Sequence, residues 1–152
     1  MPRRRVVDRF PRVLFSHDTK ADALGRCPFF AGLSRGELVE VAKATEDMEV
    51  PAGKVLTRQG ESGREFFVII EGEVSVAKDG SEIRTLGPGD FFGEIALLED
   101  TPRTATVTAT APLRFFVLTR QSFRSLLAHQ PAIEEQVTKA LQERVRATSE
   151  SA

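Results

Sequence analysis

The sequence holds a single cysteine, Cys27, in its 152 residues. An internal disulfide is therefore excluded, which fits a reducing compartment. Tryptophan and tyrosine are absent, while phenylalanine is abundant. Histidine is scarce: His17 lies in a polar segment with no second ligand nearby, and His129 reads as a surface residue near a helix end. A metal role for either is not expected. No apolar run approaches membrane-spanning length. The start, Met1-Pro2-Arg3-Arg4-Arg5, is basic but lacks the apolar stretch of a signal peptide. Net charge is −1, so overall charge argues neither for nor against a nucleic-acid partner. These absences lead to the expectation of a cytoplasmic protein without a membrane span or a metal.

The length predicts one domain with a real core, and the hydrophobic content is ordinary for a globular protein. Residues 1–20 read as a basic arm, with Arg3, Arg4, Arg5, Arg9 and Arg12 among scattered apolar residues and Pro11 against any long helix. The domain is expected over 21–147. Its helical part spans 21–47 and includes an apolar, turn-rich joint, Cys27-Pro28-Phe29-Phe30-Ala31-Gly32-Leu33. Ser34-Arg35-Gly36-Glu37 then forms a capping box before Leu38, Val41 and Ala42 at helical spacing.

From Met48 the period shortens. Strands are predicted at Met48–Val50, Val55–Arg58, Phe66–Glu71, Val74–Lys78, Ile83–Leu86, Thr106–Ala109 and Leu113–Leu118, separated by Gly-, Pro- and Asp-rich turns. Asp79-Gly80 is a type I′ hairpin signal. Phe66 to Ile70 is apolar on both faces and reads as a central strand. Short strands with close turns predict a sandwich or barrel over 48–118. Helical spacing returns over 119–147. Thr119 caps a first helix, Pro131 suits the first turn of a second, and Ile133, Val137 and Leu141 form an i, i+4, i+8 stripe. Residues 148–152 read as a flexible tail.

The chain is organised around residues 91–107. A small-residue bend at Gly93 opens a short apolar helical turn, Ile95 to Leu98, and a polar loop leads on to Pro102-Arg103-Thr104-Ala105. Glu94 and Arg103 bracket this turn. Gly93 has no Cβ, so a ligand can approach the backbone. Free amides at the start of a helical turn attract an anion. Arginine offers a planar fork suited to phosphate, and a carboxylate beside it accepts hydrogen bonds, as from a sugar diol. The chemistry implied is capture of a small phosphorylated ribose without cleavage. The competing reading is an ordinary turn with a surface salt bridge.

The run Phe-Gly-Glu-Ile-Ala-Leu-Leu, a short loop, then Pro-Arg-Thr-Ala resembles the phosphate-binding cassette of the cyclic-nucleotide-binding domain family. The resemblance covers about Leu24 to Gln142, and the glycines at 53, 60, 72, 89 and 93 fall where that family's sheet bends. It implies an α+β fold, an eight-stranded β jelly roll (a double-stranded β-helix) flanked by N- and C-terminal helices. It also implies cAMP, or cGMP, as ligand. On this resemblance Arg103 pairs with the exocyclic phosphate oxygens and Glu94 accepts from the ribose 2′-hydroxyl. Amides of Gly93, Ala96 and Thr104 complete the cradle, and Val76, Leu86 and Ile95 are apolar walls for the base. The Thr104 hydroxyl can reach the 2-amino group of a syn guanine. A Phe in the joint before the capped helix is implied to contact the moving hinge.

Two positions depart from the family pattern. Where some members carry an Asp before the central strand to orient the arginine, this chain has Arg64, with Glu65 beside it. Either Glu65 substitutes or Arg103 is held less firmly. Some members cap the base with an aromatic from the last helix, and here Val137, Leu141 or the stem of Arg144 must serve. A cupin-type metalloenzyme would need histidines on its strands, and there are none. A protein-interaction domain with a degenerate pocket conflicts with the intact Glu94 and Arg103. A DNA-binding regulator would need a helix-turn-helix after the last helix. No direct nucleic-acid contact is expected. The output is expected in an unidentified effector protein or in a longer parent chain, such as a channel or transporter.

Overall fold

The computed structural model describes residues 15–151. The arginine-rich part of the expected arm, residues 1–14, and Ala152 lie outside the described residues. The end of that arm is part of the folded domain. Ser16 Oγ accepts from Thr19 N at 3.0 Å and caps helix α1, His17–Gly25. Phe15 packs on the core, and its amide donates to Asp47 Oδ2 at 2.9 Å. Lys20 is buried and reaches Asp47 Oδ1 at 2.9 Å. The helical region thus opens four residues before the expected Ala21, because the anchoring carboxylate is distant in sequence. Helix α2, Arg35–Lys43, starts on the expected capping box, with Ser34 and Glu37 bonding reciprocally.

Eight strands follow among the described residues: β1 (Glu46–Val50), β2 (Val55–Thr57), β3 (Glu65–Glu71), β4 (Val74–Lys78), β5 (Ser81–Leu86), β6 (Phe91–Phe92), β7 (Thr106–Ala109) and β8 (Leu113–Thr119). They form two antiparallel four-stranded sheets, ordered β1-β8-β3-β6 and β2-β7-β4-β5. This is the expected α+β roll with helices at both ends. Asp79 and Gly80 both take positive φ, +54° and +83°, as a type I′ hairpin requires. Strand β6 has no counterpart among the predicted strands, since two residues carry no period. It exists because Phe92 and Phe91 pair with Phe67 and Val68 of β3.

The continuous apolar run of β3 has a structural cause. Phe66 and Val68 face one core, shared with the helices and with Phe116 and Leu118 of β8. Phe67 and Ile69 face a second core, closed by Val74, Val76, Val107 and Ala109 of the other sheet. A strand with a buried layer on each side must be apolar at every position.

Helix α3, Arg120–His129, is capped by Thr119, whose Oγ1 accepts from Ser122 N at 3.1 Å. Helix α4 runs Pro131–Ser151. Its backbone is helical beyond 147, where a tail was expected, and no Gly or Pro follows Pro131 to stop it. Ile133, Val137 and Leu141 are fully buried in the first core. Among the described residues, no helix is long and apolar enough to cross a membrane.

Candidate functional site

Strand β6 delivers the chain into a left-handed residue, Gly93, with φ +86°. A Cβ there would lie 2.7 Å from Glu65 O and 2.8 Å from Arg103 Nη1, so glycine is required by space as well as by conformation. A 3₁₀ turn, Glu94–Leu97, follows and buries Ala96 and Leu97. The Ala96 amide donates to Gly93 O at 3.1 Å, so it already serves the turn.

Beside this turn lies a cleft of about 540 Å³. One wall is the sheet, through Val76, Val107 and Thr57; the other is the cassette, Gly93 to Ala96 and Thr101 to Ala105. Arg84, Asp90 and Arg144 also line it. Of the residues singled out in the sequence, Gly93, Glu94, Ile95, Ala96, Arg103, Thr104 and Val76 all come together here. Leu86 does not line the cleft; half-buried at the end of β5, it packs on the second core. Val137 and Leu141, offered as caps for a base, are spent on the first core and do not line the cleft, whereas Arg144 does.

Arg103 is held from several sides. Its Nη2 donates to the backbone O of Glu65 at 3.0 Å and to Glu65 Oε1 at 3.2 Å. Its Cζ stands 5.8 Å from the Phe67 ring centroid, within cation–π range. Glu65 therefore takes the orienting place left by Arg64, which is exposed. Burial pulls the Arg103 guanidinium below its ordinary value, and Glu65 acts against that. At neutral pH the group stays cationic, since arginine does not lose its proton in proteins. Gly63 makes this seat possible: a Cβ there would overlap Nε, Cζ and Nη2 of Arg103.

Glu94 is held differently. Arg144 of α4 donates to its Oε2 through Nη2 at 2.8 Å and through Nε at 3.2 Å. The Arg144 guanidinium also lies 5.6 Å from the Phe29 ring and 5.5 Å from the Phe91 ring. Phe29 comes from the joint between α1 and α2, so one side chain of α4 meets that joint, β6 and the cassette. Cys27 is buried nearby, its thiol pushed up to about 12 by burial and then by the Glu94 charge. At neutral pH it is a core residue rather than a nucleophile.

Sequence reasoning missed two parts of this site. Gly63 is one. The other is Arg120, the first residue of α3, buried with Nε donating to Ala96 O at 2.6 Å and Nη2 to Glu99 O at 2.9 Å. It satisfies the carbonyls that the short turn leaves open. No local motif announces either residue. Arg144, named only for its stem, did carry a signal: it lies three residues beyond Leu141, on the buried face of α4.

The arrangement offers a cationic fork, a carboxylate and apolar walls in one cleft. The family model described as the cyclic nucleotide-binding domain matches residues 47–130. The chain belongs to that family.

Among similar proteins is a cyclic nucleotide-gated potassium channel of Rhizobium etli, 39% identical over 117 residues, covering 77% of this chain and 33% of the channel. Another is a CRP-like cAMP-activated global transcriptional regulator of Mycobacterium tuberculosis, 31% identical over 133 residues, covering 84% of this chain and 59% of the regulator. Among solved structures, the regulatory domain of Toxoplasma gondii PKA with cAMP superposes with a TM-score of 0.66 at 32% identity, covering 72% of this chain and 44% of that one. The chain spans from about a third to three-fifths of the length of these two curated relatives.

Proposed function

We propose that this chain is a sensor module that binds one cyclic nucleotide, cAMP by preference with cGMP as a second ligand, and signals occupancy through α4. The observation that carries the proposal is the half-buried Arg103, held by Glu65 and facing the same cleft as Glu94. In this reading Arg103 pairs with the exocyclic phosphate oxygens and Glu94 accepts from the ribose 2′-hydroxyl. The Gly93 and Thr104 amides add to the cradle, and Val76 and Ile95 flank the base. The expected amide of Ala96 is spent on the turn, and Leu86 stands outside the cleft, so neither keeps its role. The base cap falls to Arg144.

The relatives named for cAMP support the choice of ligand. The proposed sensor performs no turnover and needs no metal; it works in the cytoplasm and contacts no nucleic acid itself. Its working unit is the roll with its flanking helices. The output lies in an effector protein or in a longer parent chain, and the resemblance to a gated channel favours a transport partner as the second reading. Calorimetric titration with cAMP and cGMP tests the proposal. One site per chain and unchanged nucleotide after incubation are expected. No heat with either ligand, or recovery of linear nucleotide, would overturn it.

A further inference from the structure

We infer that Arg120 is a positioning residue for the cleft: it hangs the Glu94–Leu97 turn from the same rung of the β3–β8 ladder that seats Arg103, and so sets how the turn stands against that arginine. For its ligand arm the inference rests on the cyclic-nucleotide reading.

The turn has little of its own to hold it in place. It is a 3₁₀ turn of four residues, and its cap, Gly93, contributes no side-chain bond. So short a helical piece is not stable by itself. Gly93 O and Ile95 O are served inside the cassette, by the amides of Ala96, Leu98 and Glu99. Ala96 O and Glu99 O are served from outside, by Nε and Nη2 of Arg120 at 2.6 and 2.9 Å. Leu97 is buried in the first core, but a single aliphatic side chain fixes depth rather than orientation. Two directional bonds from one planar group fix both.

Arg120 is in turn fixed by the roll. Thr119 stands opposite Glu65 in the ladder, and the Arg120 amide donates to Arg64 O at 2.8 Å. Glu65 on that rung is the residue that holds Nη2 of Arg103. The stretch from Ala96 to Arg103 is therefore tied at both ends to one rung. The Arg120 side chain is 8% exposed, so water does not replace its bonds when they are lost. Asp100, 3.5 Å from Nη2 and 62% exposed, adds little. The Arg120 charge also reaches Arg103, which is lowered by burial first and by Arg120 last. Arg120 could thus act on a bound anion through charge alone, and a lysine in its place separates the two routes.

The test uses the whole chain as parent, Arg120→Met and Arg120→Lys, with two readouts. Hydrogen exchange on the nucleotide-free protein reads the tie itself. In Arg120→Met the amides between 96 and 104 are expected to exchange about tenfold faster, with β3 and β8 at the parent's rate. Saturating cAMP is expected to restore the lost protection. In calorimetric titration Arg120→Met is expected to bind cAMP about tenfold more weakly. Arg120→Lys keeps the charge without the fork, so it recovers part of that loss. Should Arg120→Met not fold, Arg120→Lys decides on the same two readouts, with changes of about threefold. Full recovery by lysine, parent-like exchange of the cassette in Arg120→Met, or exchange raised alike in β3, β8 and the cassette overturns the inference. A parent that binds neither nucleotide overturns the cyclic-nucleotide reading, and exchange of the nucleotide-free protein still decides the tie.

Discussion

The two charged ends of the cassette are built on different principles. Arg103 is seated inside the roll: its partners are Glu65 of β3, the face of Phe67 and the bare backbone of Gly63. Glu94 faces outward to a helix, and its partner Arg144 comes from α4, 50 residues away. One end has a fixed geometry set by sheet hydrogen bonds. The other has a geometry that changes if α4 moves. A ligand touching both groups would meet one held by the roll and one held by α4.

The sharpest way to break this contrast is at the fixed end. Arg103→Ala is expected to weaken cAMP by about 1.5–3 kcal/mol, roughly 10- to 150-fold, and Arg103→Lys to restore only part. Calorimetry measures both, and an affinity equal to the parent's would remove the cassette assignment. Gly63→Ala probes the same seat without touching the guanidinium. The new methyl group displaces Arg103, so affinity should fall by about 1–2 kcal/mol, roughly 5- to 30-fold, while the circular-dichroism spectrum is retained. An unchanged affinity would mean that Arg103 binds from some other position.

Glu65→Gln should cost less. The Glu65 side chain is 46% exposed, so solvent screens its charge, and the backbone oxygen still accepts from Arg103. A loss of about two- to fivefold is expected; a loss as large as that of Arg103→Ala would show that the side chain, not the backbone, sets the seat. Thr104→Ala should be the mildest for cAMP, which it leaves nearly unchanged, and should lower cGMP affinity by about tenfold at most. Competition titrations with both nucleotides decide it. Equal losses would show that Thr104 acts through packing rather than through a guanine amino group.

How far the sequence revealed these regions follows the same division. The strands were legible because alternation and turn chemistry are local, and β4 and β7 appear at their predicted bounds. The capping box at Ser34 and the start of α4 at Pro131 were legible for the same reason. The cassette carried Gly93, Glu94 and Arg103 within 11 residues, close enough to be recognised together. What stayed hidden was every partner brought in from afar. Asp47 anchors the first helix across 27 residues, Arg120 holds the cassette carbonyls from 24 residues away, and Gly63 gains its meaning only from Arg103 beside it. Leu86 was placed in the cleft by the family resemblance, but β5 is exposed along most of its length and its last side chain packs on the second core.

The convergence of Phe29, Phe91, Glu94 and Arg144 has a practical corollary for dissecting the molecule. The segment by which the family is recognised runs from 47 to 130 and contains neither Phe29 nor Arg144. Trimmed to those limits, the chain would keep both cassette charges and α3 yet strip α1, α2 and α4 from Phe66, Phe116 and Leu118, which all face the first core. Such a fragment would carry a greasy sheet face open to water, a surface prone to self-association. The recognisable segment and the folding unit are thus of different lengths.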